Sequence, residues 1–197
     1  MGKEKYLRKI KSLFEKSYVV DAGSIRRIIQ DKKRVKQYYK QLIRNLILNG
    51  KIKRITKGFY SLSDDPSLAV FAFNPAYLGL QDALSFHNLW EQETIPIIIT
   101  SKKVRTGMRK ISDANVLIRA INGKYLFGIE YKKQGDFYLP VSDIEKTFID
   151  MIYFREKIGG DLLKNFKKKI DIKKLKMYLK KYQYPKEIQG KIFLELK

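Results

Sequence analysis

Residues 38–62 read YYKQLIRNLILNGKIKRITKGFYSL and place an apolar-striped helix directly before a short basic hairpin. Apolar side chains recur at helical spacing through Leu42 and Leu46. Asn49-Gly50 then supplies two residues that tolerate the left-handed conformation at a helix end. Strand-forming residues flank Thr56-Lys57-Gly58, which predicts two short strands joined by a tight turn. The stretch therefore predicts a helix, a stop and a β-hairpin.

Two further helices are expected upstream of this stretch. A helical stripe of apolar residues runs from Tyr6 to Phe14. Asp21 is placed to cap a second helix that continues to Ile29. Three helices followed by a hairpin is the element order of a winged helix-turn-helix. We therefore predict a DNA-binding domain of this type over residues 1–64.

The predicted third helix carries positive charge on the face opposite its apolar stripe, and no acidic residue occurs from Lys32 to Lys57. A solvated helix face usually mixes signs, because pairs of opposite charge favour the helix. A helix in the major groove needs the composition found here, since lysines contact phosphates whereas Arg and Gln reach base edges. The predicted DNA-binding residues are Gln37, Gln41 and Arg44 for bases, and Arg26, Arg27, Lys36, Lys40, Lys53, Arg54 and Lys57 for phosphates. Lys33 and Arg34, on or beside the same helix face, are also predicted to contact DNA.

Charge is distributed unevenly along the 197 residues, whose net charge is +22. Residues 1–62 carry 18 basic and 4 acidic side chains, residues 63–154 carry 10 and 11, and residues 155–197 carry 14 and 5. A genome rich in lysine would raise the basic count everywhere, which the near-neutral middle argues against. Two basic ends favour a polyanionic partner, and double-stranded DNA is the expected one.

A second domain is predicted after the polar joint Ser63-Asp64-Asp65-Pro66, over residues 65–197. Strands are expected over Val116–Ile121, Tyr125–Tyr131 and Phe137–Val141, with a hairpin turn at Asn122-Gly123. The predicted fold class is accordingly α+β: an N-terminal winged helix-turn-helix, then a domain with a small, mainly antiparallel sheet and C-terminal helices.

Two helical regions complete the predicted second domain. Ser142 followed by Glu145 has the spacing of a capping box, which would open a helix over Ile144–Phe154. Beyond Gly159-Gly160 the chain is expected to be helical, with a lysine-rich surface. That surface is either an ordinary solvated face, a second nucleic-acid surface or a membrane-leaning amphipathic helix.

The composition excludes several classes of protein. The chain has no cysteine, which excludes a disulfide scaffold, thiolate metal sites and cysteine nucleophiles. Its start lacks the apolar core of a signal peptide, and no apolar run approaches transmembrane length. We therefore expect a cytoplasmic protein without membrane contact.

Motifs in the second domain resemble the AbiEi family of antitoxins and viral-defence transcriptional regulators. The runs YLGLQDALSFHNLWEQETIPIIITSKKVR, YLFGIEY and FYLPVSDIEKTFIDMIYF carry the resemblance, and the hairpin sequence TKGFY resembles the end of the family's winged helix. The sequence departs from the family pattern at two places: Asn88 replaces a glycine that is frequent in the family, and LWEQE replaces the family's LTEQ. The matching residues are Ala83, Leu84, His87, Leu89, Glu91, Gln92, Pro96, Thr100, Lys102, Lys103, Phe127, Gly128, Glu130, Ser142, Glu145, Lys146 and Asp150.

The resemblance implies a repressor that binds the operator of its own toxin–antitoxin operon. Its implied partner is a nucleotidyltransferase-like toxin, opposed without a stable complex, and a palindromic operator would be read by a homodimer. A stand-alone regulator without a toxin neighbour is equally compatible. A partner-binding antitoxin surface on the second domain is a further alternative.

A catalytic role is the rival from another class. Glu130, Asp143 and Glu145 invite comparison with metal-dependent nucleases, whose carboxylates hold magnesium at phosphodiesters. A capping-box role for Glu145 argues against that reading. His87 is the only histidine; it lies among apolar residues and is expected to be structural, and two ligands with Glu91 would not complete a metal site. We expect no catalytic residue, no metal and no cofactor.

Overall fold

The computed structural model describes residues 2–29 and 35–196, with side chains described for 6–29 and 38–196. Contacts divide the chain into two compact units: Met1–Ala72 with Lys110–Asn115, and Phe73–Arg109 with Val116–Lys197. Such grouping does not measure independent folding, so the predicted boundary between residues 64 and 65 stays a prediction. The class is α+β, with one small antiparallel sheet and one larger mixed sheet.

Within the described residues, the first unit contains three α-helices and a three-stranded sheet, and a 3-10 helix over Pro66–Phe73 lies at its end. Strand order is β1-β3-β2, and both pairings are antiparallel. Ile25 and Ile29, on and just after the second helix, are fully buried, with Leu42 and Leu46 of the third packed in the same core. The elements are α1 (Gly2–Lys16), β1 (Val20–Asp21), α2 (Ala22–Ile28), α3 (Val35–Leu48), β2 (Lys53–Thr56) and β3 (Phe59–Ser61).

Local sequence signals explain the boundaries of these elements. The Asp21 carboxylate accepts a hydrogen bond from the Ser24 backbone N–H at 3.0 Å, which confirms the predicted cap of α2. At the end of α3, Gly50 has φ +64°. Gly50 N–H donates to Ile47 O and Lys51 N–H to Leu46 O, both at 2.9 Å, which is the Schellman arrangement. The predicted helix stop is therefore confirmed.

The larger sheet has six strands in the order β6-β7-β5-β4-β9-β8. β5 pairs with β7 and β4 pairs with β9 in parallel, whereas β4–β5 and β8–β9 are antiparallel. The sheet is mixed, and the prediction of a mainly antiparallel one missed its parallel pairings. The strands are β4 (Ala76–Leu78), β5 (Ile97–Thr100), β6 (Gly107–Ile111), β7 (Ala114–Ala120), β8 (Ile129–Gln134) and β9 (Phe137–Ser142).

The hairpin predicted at Asn122-Gly123 is wrong. The Asn122 side chain instead accepts a hydrogen bond from Lys124 N–H at 3.0 Å and caps a 3-10 turn over Gly123–Tyr125. Tyr125 and Phe127 are buried in the core cluster of the second unit. The apolar residues after the turn therefore fill the core and do not extend a strand, and the chain reaches β8 at the opposite edge of the sheet.

Five helices accompany this sheet in the part of the chain that is described. Leu175 and Leu179 of the seventh helix are buried, while Lys173, Lys176 and Lys180 are exposed. This confirms the predicted helical structure beyond Gly160 and its lysine-rich surface. The helices are α4 (Leu80–Phe86), α5 (Ile144–Tyr153), α6 (Gly160–Lys169), α7 (Ile172–Lys181) and α8 (Lys186–Leu196). Within residues 2–29 and 35–196, no helix combines the length and apolarity needed to cross a membrane.

The helix α5 begins one residue later than the predicted capping box requires. Asp143 is the N-cap, and its carboxylate accepts a hydrogen bond from Lys146 N–H at 2.7 Å. The Ser142 hydroxyl lies 2.7 Å from the Thr147 hydroxyl instead. Glu145 is thus not the second member of a capping box, because Asp143 is the better-placed acceptor. Glu145 therefore has no capping role, and its carboxylate instead contacts Lys174 and the Asp171 backbone N–H.

Candidate nucleic-acid interface

The described part of α3 presents a polar face without acidic residues. Leu42, Ile43 and Leu46 are buried in the first unit's core. Because side chains three and four residues apart share a helix face, this packing turns the other side of α3 toward solvent. The exposed side chains on α3 are Lys40, Gln41, Arg44, Asn45 and Leu48.

Asn45 is a residue that the sequence reasoning missed. It lies four residues after Gln41, so both side chains share one face of the helix. Asn can form paired hydrogen bonds with an adenine edge. The four-residue spacing between Gln41 and Asn45 is the sequence signal that could have identified Asn45. Of the other predicted residues, Lys33 and Arg34 lie outside the described residues, as do the side chains of Lys36 and Gln37.

The hairpin β2–β3 holds a second group of exposed cations. Lys53, Arg54 and Lys57 are exposed, whereas Ile55 and Tyr60 are buried. The Lys53 ammonium contacts the Asp64 carboxylate at 2.6 Å, and this hydrogen bond lowers the pKa of Asp64. Within the described residues, neither Arg54 nor Lys57 forms an ion pair.

Hydrogen bonds hold the hairpin against the start of α2. Ala22 N–H donates to Gly58 O at 2.8 Å, and β1 pairs with β3. Arg27 is positioned locally, because its guanidinium donates to the Ser24 hydroxyl at 2.8 Å. Arg26 and Arg27 are both exposed. These hydrogen bonds thus connect the basic hairpin to the start of α2, which carries Arg26 and Arg27.

The second unit contains the carboxylates proposed for metal chemistry, and a lysine lies between two of them. Lys174 Nζ is 3.0 Å from Asp143 Oδ2 and 2.7 Å from Glu145 Oε2. The Tyr178 hydroxyl donates to Asp143 Oδ2 at 2.7 Å, and Asp171 N–H donates to Glu145 Oε1 at 2.9 Å. Lysine therefore occupies the position between these carboxylates that a nuclease would give to a divalent cation.

The third candidate carboxylate does not complete such a site. Glu130 Oε2 contacts Lys132 Nζ at 2.6 Å, and this hydrogen bond lowers the pKa of Glu130. Among the described residues, no group of three His, Cys, Asp or Glu side chains is arranged to hold a metal ion. The geometry thus supports a structural ion cluster that joins the start of α5 to α7.

A second, fully buried polar cluster lies one turn further along α5. Lys146, Asp150 and Tyr77 are each completely inaccessible to solvent. The Lys146 ammonium donates to Asp150 Oδ1, and the Tyr77 hydroxyl donates to Asp150 Oδ2 at 2.7 Å. The ammonium also lies 5.2 Å from the ring centroid of Tyr77 and 5.1 Å from that of Phe127. Burial lowers the pKa of Lys146 and raises the pKa of Asp150.

Gly128 is required where the chain passes this cluster. Its φ is +62°, a conformation that residues with a Cβ rarely adopt. A Cβ at this position would lie 2.9 Å from Lys146 Cβ and 3.0 Å from Asp143 Oδ2. The Phe127-Gly128 pair is thus explained by close packing, with the ring of Phe127 near the ammonium and the glycine backbone against the lysine stem.

His87 is buried just after α4, as expected of a structural histidine. Its Nε2 lies 2.7 Å from the Ser142 carbonyl oxygen, so Nε2 carries the proton and donates. Burial lowers the pKa of His87. The alternative, a metal site with Glu91 four residues along the same helix, does not fit the fold, because α4 ends at Phe86.

Comparison with known proteins gives a likeness of fold alone. No protein-family model matches the chain, and no curated protein matches it. Among solved structures, the chain is similar to the one described as the crystal structure of RV2827C protein from Mycobacterium tuberculosis. The TM-score is 0.61 at 13% sequence identity, and the match covers 98% of this chain and 76% of that one.

Replacing Lys174 tests whether the Asp143–Glu145 cluster is structural. In Lys174→Met, two buried carboxylates lose their cation, and we expect a loss of about 2–4 kcal/mol in the free energy of unfolding. Lys176→Met on the same helix removes an exposed lysine and should stay within about 0.5 kcal/mol of the wild type. Urea unfolding followed by circular dichroism measures both. Equal stabilities of the two variants would contradict the structural role.

His87 makes stability depend on pH in a predictable direction. Its pKa in the folded protein lies below the ordinary value of 6.5. The unfolded state therefore binds more protons between the two values, so the free energy of unfolding falls as pH decreases below 6.5. His87→Gln keeps an N–H donor for the Ser142 carbonyl but does not titrate. Urea unfolding at pH 7.5 and 5.5 should show a decrease for the wild type that the variant lacks. An equal decrease in both proteins would refute this assignment.

Proposed function

We propose that this protein is a sequence-specific regulator of transcription that binds double-stranded DNA through its first unit, folded as a winged helix-turn-helix. One observation carries the proposal: the exposed face of α3 bears Lys40, Gln41, Arg44 and Asn45 without an acidic residue, and a basic hairpin follows it. A long-range field from a net charge of +22 would assist association with DNA.

The proposed binding mode assigns different tasks to the exposed residues. α3 enters the major groove, where Gln41, Arg44 and Asn45 reach base edges. The hairpin, with Arg54 and Lys57, contacts the backbone or minor groove beside it. Lys53 also contacts a phosphate, which replaces Asp64 as its partner. Breaking the Lys53–Asp64 ion pair costs little free energy, because exposed ion pairs contribute little to stability. Lys40 and Arg26-Arg27 contact phosphates, as would Lys33, Arg34 and Lys36, while Gln37 is the remaining candidate for a base.

The AbiEi resemblance makes the proposal more specific. Residues from separate motifs of that resemblance lie together in the second unit: His87 contacts Ser142, and Phe127 lies beside Lys146. These contacts support an AbiEi-like architecture for the second unit. We propose an autorepressing antitoxin that binds its own operator as a homodimer and opposes a nucleotidyltransferase-like toxin without a stable complex. Such a cytoplasmic role requires no cofactor, metal or catalytic residue.

Two substitutions separate base reading from phosphate contact. Fluorescence anisotropy would compare a duplex from upstream of the protein's own operon with a random duplex at fixed salt. The wild type should bind the operon duplex with a Kd of roughly 10⁻⁸ to 10⁻¹¹ M. Arg44→Ala should cost about 1–3 kcal/mol on that duplex and reduce the preference for it. Lys57→Ala should weaken binding to both duplexes about equally.

The control for these variants is Lys133→Ala, which removes one exposed positive charge from the second unit. It tests whether charge alone explains the losses, and it should bind both duplexes nearly as well as the wild type. Binding by the wild-type protein that does not distinguish the operon duplex from random DNA would contradict the proposed function. Equal losses from Arg44→Ala on both duplexes would contradict α3 as the reading element.

A further inference from the structure

The first unit contains an open cleft whose walls are almost entirely apolar. Its volume is about 420 Å³, within the range of small-molecule sites. α1, the end of α3 and the segments on either side of the β2–β3 hairpin form its walls. Its apolar lining includes Ile10, Phe14, Leu46, Ile52 and Leu62.

The cleft is open to solvent along one side. Ile10, Phe14, Leu46 and Ile52 form a buried floor, whereas the side chain of Leu62 is 58% exposed. The exposed side chain of Leu62 leaves apolar surface in water, which costs about 25 cal/mol for each Å². An apolar ligand body would remove this surface from water.

Three basic residues contribute to the lining of the cleft and suggest its chemical preference. Arg8, Lys11 and Lys51 are exposed residues that contribute to its lining. Within the described residues none of the three forms an ion pair, and no carboxylate lines the cleft. An apolar floor beside these basic side chains is complementary to a molecule with an apolar chain and an anionic head.

We propose that this cleft binds an amphipathic carboxylate, such as a medium-chain fatty acid, with the chain on the apolar floor and the carboxylate at Arg8, Lys11 and Lys51. The ligand would control DNA binding, and this regulatory half of the inference rests on the proposed function. Leu46 belongs to α3, and Lys51 and Ile52 connect α3 to β2. The ligand therefore contacts the segment that joins the two elements proposed to bind DNA.

The direction of control follows from charge and linkage. A bound carboxylate reduces the positive charge beside α3 and the hairpin, so the complex with DNA is disfavoured. Because coupling between two binding sites is reciprocal, the ligand should weaken DNA binding by the same factor as DNA weakens ligand binding. We expect this factor to be about threefold or more, corresponding to a few contacts between exposed charges.

Isothermal titration calorimetry with sodium decanoate, kept below its critical micelle concentration, tests the site directly. Decanoate should bind with 1:1 stoichiometry, whereas acetate lacks the chain and 1-decanol lacks the charge, so both should bind at least about fivefold more weakly. Leu62→Glu introduces a carboxylate at the exposed wall and should reduce decanoate affinity about tenfold or more. The matched control is Leu194→Glu, since Leu194 is 70% exposed on α8 of the second unit; it should bind decanoate like the wild type.

Other outcomes would overturn the inference. Equal affinity for decanol and decanoate would show that the cations do not select the ligand, and equal losses in both Glu variants would place binding elsewhere. If the wild type sediments as a dimer that Leu62→Glu converts to a monomer, a second copy of the chain covers the cleft instead. No decanoate binding, with specific DNA binding intact, would refute this inference alone. Decanoate binding without any specific DNA binding would refute the proposed function and its control while the site itself stands.

Discussion

The fold of the second unit depends on one buried cation. Lys146 is fully inaccessible, and an ammonium in that position is tolerated only with a partner of opposite charge and suitable neighbours. The Asp150 carboxylate, on the same helix, supplies the opposite charge. The Tyr77 hydroxyl, on β4, donates a hydrogen bond to that carboxylate, and the rings of Tyr77 and Phe127 lie near the ammonium. These contacts fix α5 against the sheet, and the packing of Gly128 beside Lys146 fixes the start of β8. The contacts that stabilise the Lys146 charge thus position helix α5, strand β4 and the residues that lead into strand β8.

The candidate catalytic carboxylates and the candidate DNA-binding cations differ in how their charges are neutralised. In the second unit, Lys174 bridges Asp143 and Glu145, and Lys146 pairs with Asp150, so the acidic groups that resemble a catalytic set are already neutralised. In the first unit, Lys40, Arg44, Arg54 and Lys57 are exposed, and none forms an ion pair within the described residues. A protein that binds a polyanion needs exposed basic side chains that are not already paired with a carboxylate. Both patterns are consistent with the proposed DNA-binding role.

The structure could be predicted from the sequence where one residue determines the local backbone geometry. It could not be predicted where residues distant in the sequence determine the structure. Asp21 and Gly50 act on their own turns, so the start of α2 and the end of α3 were predictable. Asn122-Gly123 has the local signature of a hairpin turn. The chain does not form that hairpin, because burying Tyr125 and Phe127 in the core stabilises the fold more than a strand at this position would. The Ser142 cap failed because Asp143, one residue later, is the stronger acceptor. The bridge from Glu145 to Lys174 spans separate helices, and no local pattern encodes it.

Hydrogen–deuterium exchange with and without DNA tests the central claim, that the first unit reads DNA through α3 and the hairpin. Exchange would be compared for the free protein, for its complex with the operon duplex and for a mixture with random duplex at the same salt concentration. The account predicts that the operon duplex slows exchange in residues 38–48 and 53–59 more than random duplex does. Slowed exchange confined to the second unit, or equal protection by both duplexes, would contradict it.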